Sequence, residues 1–168
     1  QDDRLWWPSN AAMNGAEILA GLRQDNSATL QDYEQIREFL RPNMLSLRKC
    51  KYILLDGPTF QNSPAWCLHP WLCEHVSIQN VQVRNPWFAQ NGDGLDVESC
   101  RNVWIDNCSF DVGDDAICMK SGKDAEGRKL GRPTERVWIR NCTVYHGHGG
   151  FVIGSEMSGG VRDVTVEN

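Results

Sequence analysis

Acidic residues stand at the start of two short apolar segments that share one layout. Asp93 leads into the segment 94–97 (Gly-Leu-Asp-Val), and Asp115 leads into the segment 116–119 (Ala-Ile-Cys-Met), 22 residues further on. Carboxyl groups held close together raise one another's pKa, so one of them keeps a proton near neutrality. A protonated and an ionised carboxyl at one place can act as general acid and general base.

A third copy of this layout carries a histidine in place of an acid. The segment 151–153 follows a turn in which Gly149 falls level with Asp115 and His148 falls level with Asp114. If successive turns stack, the aspartates of the first two copies lie one above the other, and the histidine lies one turn further on. Three acids and a histidine would then share one face.

The elements that position these residues repeat along the chain. Four segments resemble one another and end in asparagine, at Asn80, Asn107, Asn141 and Asn168, with spacings of 27, 34 and 27 residues. Short apolar strands and tight turns repeated at this length are typical of a solenoid in which each coil covers its neighbour. The sequence therefore predicts an all-β fold, a parallel β-helix whose coils lie about 4.8 Å apart.

Alternation within each repeat predicts which side chains point inward. Val103 and Ile105 are expected in the core, with Trp104 and Asp106 outside. The asparagine that follows suits a left-handed corner, and equivalent asparagines are expected to form a hydrogen-bonded ladder. The longer middle interval predicts an inserted polar loop at residues 121–128.

The N-terminal part has a different character. Residues 1–41 are predicted to be irregular or helical and to pack on the β-helix of residues 42–168. Apolar residues between Thr29 and Leu40 share one helical face, and Pro42 ends the pattern, so one amphipathic helix is expected there.

Composition excludes some classes of function. The net charge is −5 with no basic run, which argues against a nucleic-acid partner, and no apolar run is long enough to cross a membrane. The seven cysteines fit neither a paired zinc pattern nor a disulfide scaffold and are interpreted as small core residues. Because the chain ends inside a repeat, it is interpreted as part of a longer protein.

Three motifs resemble those of glycoside hydrolase family 28, the polygalacturonases and related pectinases. They are Asn-x-Asp at residues 91–93, Asp-Asp at 114–115 and Gly-His-Gly at 147–149, in the family's order and spacing. The resemblance covers most of residues 41–168. It implies a right-handed parallel β-helix, secreted or periplasmic and monomeric at full length, that hydrolyses α-linked galacturonan with inversion and without a cofactor or metal.

The resemblance also implies roles for single residues. Asp114 resembles the general acid, and Asp93 and Asp115 resemble the pair that holds and deprotonates the attacking water. His148 resembles the histidine that supports the acid and positions the sugar. Inversion is expected to place acid and base about 6.5–9.5 Å apart.

Other residues are predicted to contact the substrate, and one further motif of the family is expected later in the protein. Asn91, Lys120 and Trp87 are predicted to contact the sugar. The family's fourth motif, an Arg-x-Lys that binds the sugar carboxylate, is expected after Asn168. Asp96 falls on the outward side and is interpreted as a turn residue without a catalytic role.

Two other classes of protein stay open. One is a non-catalytic carbohydrate-binding β-helix, which has no need for aligned acids. The other is a pectate-lyase-like eliminase, which would bind calcium through its acids and use a basic residue to remove a proton. The sequence also leaves open endo or exo action, and homogalacturonan or rhamnogalacturonan as substrate.

Overall fold

In the computed structural model the chain divides into two compact units, residues 1–42 and 43–168. The residues that the structure describes are 18–22, 24, 27–34, 36–37 and 40–168. Within these residues, no helix is both long enough and apolar enough to cross a lipid bilayer.

The first unit contains short helical pieces. Residues 18–22 are helical, and helix α1 spans Leu30–Glu34. The Asp32 carboxylate accepts hydrogen bonds from the backbone N–H and the hydroxyl of Thr29, both at 2.7 Å, which fixes the start of α1. The helix predicted up to Leu40 is shorter, because residue 36 already lies in a turn. Residues 35, 38 and 39 of that prediction lie outside the described part.

The second unit consists of fourteen strands and one helix. The strands are β1 (Leu45–Arg48), β2 (Lys51–Asp56), β3 (Thr59–Gln61), β4 (Leu68–Trp71), β5 (Glu74–Gln79), β6 (Gln82–Arg84), β7 (Leu95–Glu98), β8 (Arg101–Asp106), β9 (Ser109–Asp111), β10 (Ile117–Lys120), β11 (Thr134–Arg140), β12 (Thr143–His146), β13 (Phe151–Ile153) and β14 (Val161–Glu167). Helix α2 (Asp124–Leu130) lies between β10 and β11. Each coil of the chain contributes one strand to each sheet in turn.

Three parallel sheets result from this winding. Sheet A has the order β1-β4-β7-β10-β13, sheet B has β2-β5-β8-β11-β14, and sheet C has β3-β6-β9-β12. All pairings between these strands are parallel, and each strand pairs with the equivalent strand of the next coil. This topology is that of a parallel β-helix, as the repeat predicted.

Aligned apolar residues fill the interior. Val103 and Ile105 of β8 are fully buried and pair with Val137 and Ile139 of β11, so the predicted inward alternation is confirmed. Among the described residues, Phe110 is the largest fully buried side chain. Because the same inward positions recur on every coil, the core is a continuous column of stacked side chains that holds neighbouring coils in register.

The predicted asparagine corners are present where sheet B gives way to sheet C. Asn80, Asn107, Asn141 and Asn168 all have φ between 51° and 61°, in the left-handed region. The side-chain amide of Asn107 donates to Asn80 at 2.7 Å. Asn141 donates instead to Asp106 at 2.8 Å, so the ladder is interrupted at the coil that carries the insertion.

The predicted polar loop at residues 121–128 is partly wrong, because α2 occupies most of it. The helix ends at Gly131, whose φ of 58° suits a left-handed cap, with Arg128 and Lys129 in its last turn. Gly127 packs so closely on Gly122 that a Cβ there would lie 2.5 Å from the Gly122 carbonyl carbon. This close packing stabilises a helix that is too short and too polar to form by itself.

Candidate active site

The acids lie where chain segments enter the strands of sheet A. The Gly94 N–H donates to the Asp115 carbonyl at 2.9 Å, and the Ala116 N–H donates to the Gly149 carbonyl at 2.8 Å. These bonds place Asp93, Asp115 and Gly149 level with one another on successive coils, as predicted. The sequence repeat therefore gave the correct alignment of the acidic turns.

Three carboxyl groups converge at this place. One oxygen from each of Asp93, Asp114 and Asp115 can be chosen so that all lie within 4.8 Å of one another. Asp93 is only 4% exposed, whereas the other two are half-buried. Such an oxygen set can share protons or bind a hard divalent cation, so the geometry is compatible with acid–base chemistry and with cation binding.

Asp93 has the least favourable surroundings for a negative charge. Burial, followed by the charge of Asp114, raises the pKa of Asp93 to about 7. Its Oδ1 has no hydrogen-bond partner in the described part of the chain. Burial and the charge of Asp114 also raise the pKa of Asp115. The cluster therefore holds at least one proton near neutral pH.

Asp114 is oriented by three neighbours. Its carboxylate accepts the backbone N–H of Asn91 at 3.2 Å and that of Asp115 at 3.0 Å. The Nδ1 atom of His148 lies 3.2 Å from Asp114 Oδ1, and the histidine side chain is 70% exposed. The backbone N–H of His148 also donates to the backbone carbonyl of Asp114 at 2.9 Å. The predicted pairing of these residues on adjacent coils is therefore confirmed.

Two glycines allow the acidic turns to stack this closely. A Cβ on Gly94 would lie 2.5 Å from the Ala116 carbonyl oxygen and 2.6 Å from the ring of Phe110. A Cβ on Gly149 would collide with Val152 and would come within 3.4 Å of Asp115 Oδ1. The third coil thus carries a glycine, packed against Val152, at the level where the first two coils carry acids.

Trp87 lies in the same turn as Asn91 and Asp93, and 62% of it is exposed. Its ring stacks on His146 with centroids 4.1 Å apart and an angle of 7° between the planes. Its Nε1–H donates to Asp111 Oδ1 at 2.5 Å. The indole is thus held rigidly while it offers an exposed face, as a predicted sugar-contacting residue requires.

Lys120 occupies a different position from the one that substrate contact suggests. It ends strand β10 and is only 4% exposed. Its ammonium donates to the Gly154 carbonyl at 3.0 Å and to Glu156 Oε2 at 2.9 Å. The ammonium also lies 4.7 Å from the centre of the Trp66 ring. These contacts point to an indirect role.

Asp96 requires a correction. It is not a turn residue, because it lies in β7 and is fully buried. Leu95 and Val97 point into the core, so Asp96 does face outward as predicted, but this part of the outer face of sheet A is covered. Its Oδ1 lies 3.7 Å from Lys120 Nζ. Burial and the charge of Asp93 raise the pKa of Asp96 well above its usual value.

Comparison with known proteins identifies the family of this chain. The sequence model of Glycosyl hydrolases family 28 matches residues 12–168. The chain belongs to this family. It is 35% identical over 132 residues to a probable polygalacturonase of Vitis vinifera, and 29% identical over 141 residues to an exo-poly-alpha-D-galacturonosidase of Dickeya chrysanthemi. These alignments cover 78% and 84% of the chain but only 27% and 23% of the relatives, so the chain spans about a quarter of their length.

A solved structure supports the same assignment. The crystal structure of a hyperthermoactive exopolygalacturonase from Thermotoga maritima matches with a TM-score of 0.71 and 36% identity. The match covers 86% of this chain and 37% of that chain. The predicted right-handed parallel β-helix and the predicted resemblance to family 28 are both confirmed.

Within this family-28 chain, the sequence interpretation did not predict the charged contacts of Lys120 with Asp96 and Glu156. Glu156 follows β13 in a loop without a repeat pattern, so the repeat carries no signal for it. One usable signal existed: Glu98 and Lys120 occupy aligned positions of β7 and β10, next to the aligned pair Asp96 and Cys118. Opposite charges at matched positions of two apolar strands indicate a covered polar site, since neither belongs in an ordinary core.

Proposed function

We propose that the full-length protein is a glycoside hydrolase that cleaves α-linked galacturonic acid in pectin or polygalacturonate. The observation that carries this proposal is the cluster of Asp93, Asp114 and Asp115 on adjacent coils, with a pKa of about 7 for Asp93. Membership of family 28 and the polygalacturonase names of its relatives support the same substrate class.

In the proposed mechanism, Asp114 is the general acid. It is half-buried and therefore accessible to a glycosidic oxygen, whereas Asp93 is almost fully buried. Asp93 and Asp115 together hold the attacking water, and an ionised member of the pair removes its proton. His148 contacts the Asp114 carboxyl from the next coil and positions the sugar. Asn91, whose N–H binds Asp114, lies on the substrate side.

Inversion of configuration at the anomeric carbon is part of the proposal, and the anomer of the first product tests it. An acid and a base that flank a water are expected about 6.5–9.5 Å apart, and a retaining pair about 5–5.5 Å apart. The carboxylate oxygens here lie within 4.8 Å. That limit applies to one chosen oxygen of each carboxyl and does not give the separation between the whole carboxyl groups, whereas the family resemblance implies inversion by a pair of acids that act on one water. Proton NMR of the first product should show the β-anomer; the α-anomer would exclude inversion.

The hydrolase is tested by reducing-sugar release from polygalacturonate in the presence of a calcium chelator. Wild-type full-length protein should be active, and Asp114→Asn should lower kcat by about 10²–10⁴. Asp163→Asn is the matched control, because Asp163 is exposed and has a φ of 55°, which asparagine tolerates. Equal activity of Asp114→Asn and Asp163→Asn would exclude Asp114 as the acid.

A calcium-dependent eliminase is the second candidate, because the three carboxylate oxygens form a set that can hold a cation. A lyase would lose activity in chelator and regain it with added calcium, and its product would carry an unsaturated sugar that absorbs ultraviolet light. A hydrolase shows neither property. Absence of any product from all pectic polymers would favour the non-catalytic binding β-helix.

The remaining proposals concern the setting of the enzyme. We propose that it is secreted or periplasmic and monomeric, since its substrate is a plant cell-wall polymer outside the cell. Its partner is the galacturonan substrate. It requires no cofactor and binds neither nucleic acid nor a membrane. Trp87 stacks on a sugar ring through its exposed face.

A further inference from the structure

Lys120 lies within a closed set of contacts beside the catalytic carboxyls. Its side chain is buried, and its ammonium is held at one side by the Gly154 carbonyl and Glu156, at 3.0 and 2.9 Å. The Trp66 ring lies across it at 4.7 Å. Although burial opposes the charge, the hydrogen bond to Glu156 and the nearby Asp96 raise the pKa of Lys120 above its usual value. The ammonium is therefore charged at any physiological pH.

The ammonium also lies near Asp96 of β7. Asp96 Oδ1 lies 3.7 Å from Nζ, and neither oxygen of Asp96 accepts a hydrogen bond from the described residues. Asp96 lies three residues after Asp93, and burial followed by the charge of Asp93 raises the pKa of Asp96. The charge of Lys120 lowers the pKa values of Asp93, Asp96 and Asp115, and so acts against the burial that raises them.

Other titratable groups around Lys120 do not supply this positive charge. Cys118 on the same strand and Cys67 before β4 are neutral, because burial raises the pKa of each thiol to about 12. His69 of β4 is engaged with Glu98 of β7 at 2.7 Å. His148 acts on Asp115 from the exposed side of the site. Of the lysines and arginines in the described part, Lys120 is the one that acts on Asp93, Asp96 and Asp115 together.

We propose that Lys120 is a positioning residue whose buried charge, held in place by Glu156, sets how many protons the catalytic carboxyls share. It acts through Asp96 and through the field at Asp93 and Asp115, and it does not touch the substrate. This inference rests on the proposed hydrolase function. Without Lys120 the cluster would bind an additional proton, and the pair that holds the water would lose its ionised member at the working pH.

This role differs measurably from substrate contact. A cation that binds the sugar carboxylate lowers KM for charged galacturonan, and its removal raises KM without moving the pH profile. A cation that stabilises an ionised base moves the acidic limb of the profile of kcat/KM, which is the range where activity falls as the base is protonated. An opposite charge at about 4–6 Å lowers a carboxyl pKa by about 1–3 units.

The test compares three variants of the full-length protein. Lys120→Met removes the charge and keeps the length, so the acidic limb should move to higher pH by about 1–3 units. Lys120→Arg keeps the charge and should leave the limb close to that of the wild type. Glu156→Gln removes the negative charge beside the ammonium while the Gly154 carbonyl still holds it, so the limb should move slightly to lower pH because the positive charge of Lys120 is less compensated. Glu156 is partly exposed, so this variant is expected to fold.

A second readout does not depend on activity. Carbon-13 NMR of labelled aspartates follows the titration of the Asp93 carboxyl in wild type and in Lys120→Met. The midpoint should rise in the variant by the same amount as the kinetic limb. If wild type cleaves no pectic polymer but the NMR midpoint rises, the hydrolase proposal fails and the role of Lys120 stands. An active wild type with unmoved midpoints and limbs, or a variant that changes KM alone, would overturn the inference.

Discussion

Two columns of charged residues run along the same β-helix, and they differ in the order of charge signs on successive coils. At the start of sheet B, aligned positions on five successive coils alternate in sign: Lys51, Glu74, Arg101, Glu135 and Arg162. At the start of sheet A, aligned positions repeat the same sign, with Asp93 next to Asp115 and Asp114 beside them. Both columns arise from one rule of the fold, that equivalent residues of adjacent coils become neighbours.

The pKa values of the two columns show the energetic difference. In the alternating column, hydrogen bonds from Arg101 and Arg132 lower the pKa of Glu74 to about 2. In the column of acids, burial and Asp114 raise the pKa of Asp93 to about 7. Stacking therefore stabilises the fold where charges alternate, and it opposes folding where they repeat. The column of acids therefore lowers stability, as expected of the proposed functional site.

Replacement of Asp93 should separate function from stability most strongly. Asp93→Asn removes a member of the proposed water-holding pair, so kcat/KM on polygalacturonate should fall by about 10²–10⁴. The same change removes a buried negative charge next to Asp114 and Asp115, so the melting temperature above pH 7 should rise. Asp163→Asn should change neither quantity. A variant that is both inactive and less stable at every pH would show that the Asp93 carboxyl is needed for folding.

Reversing one sign in the alternating column should give the opposite result. Glu74→Lys would place a fourth cation beside Lys51, Arg101 and Arg132, so the melting temperature should fall clearly. Glu74→Gln removes the attraction without adding repulsion and should cause a smaller loss. Activity per folded molecule should stay unchanged in both. Equal losses for the two variants would mean that the shape of Glu74, and not its charge, matters.

The repeat made much of this arrangement predictable. The spacings of equivalent turns predict the coil register, and this register places Asp115 beside Asp93 and His148 beside Asp114, as the structure confirms. The left-handed corner at Asn107 followed from residue type. In a solenoid each repeat contacts only its neighbours, and equivalent positions of adjacent repeats lie next to each other. Alignment of the repeats therefore predicts the contacts.

What the sequence did not predict lies in segments that break the repeat. Helix α2 depends on the close approach of Gly127 to Gly122, although Gly131 and the basic residues before it were available signals of a helix end. Asp96 lies beside Lys120, which is held by a loop residue, Glu156, 36 positions further along the chain. Irregular loops follow no register, so their tertiary contacts have no counterpart in the spacing.

The dependence of stability on pH provides the finest test of the two columns. Glu74 has a lowered pKa, so its contribution to the free energy of unfolding is complete above about pH 4.5 and is lost as the pH falls towards about 2. Asp93 has a raised pKa, so its contribution is complete below about pH 3.8 and is lost as the pH rises towards about 7. One proton changes the free energy by at most about 1.4 kcal/mol per pH unit.

The two contributions therefore oppose each other on either side of an acidic optimum. Asp96 and Asp115 also have raised pKa values and add to the loss on the alkaline side, while Glu135 has a lowered value and adds to the loss on the acid side. Urea unfolding of the full-length protein from pH 2 to 8 should show greatest stability at about pH 4–5. Asp93→Asn should flatten the alkaline side only, and Glu74→Gln the acid side only. If either substitution changed both sides, the two columns would be coupled, and the separation of a stabilising column from a functional one would not hold.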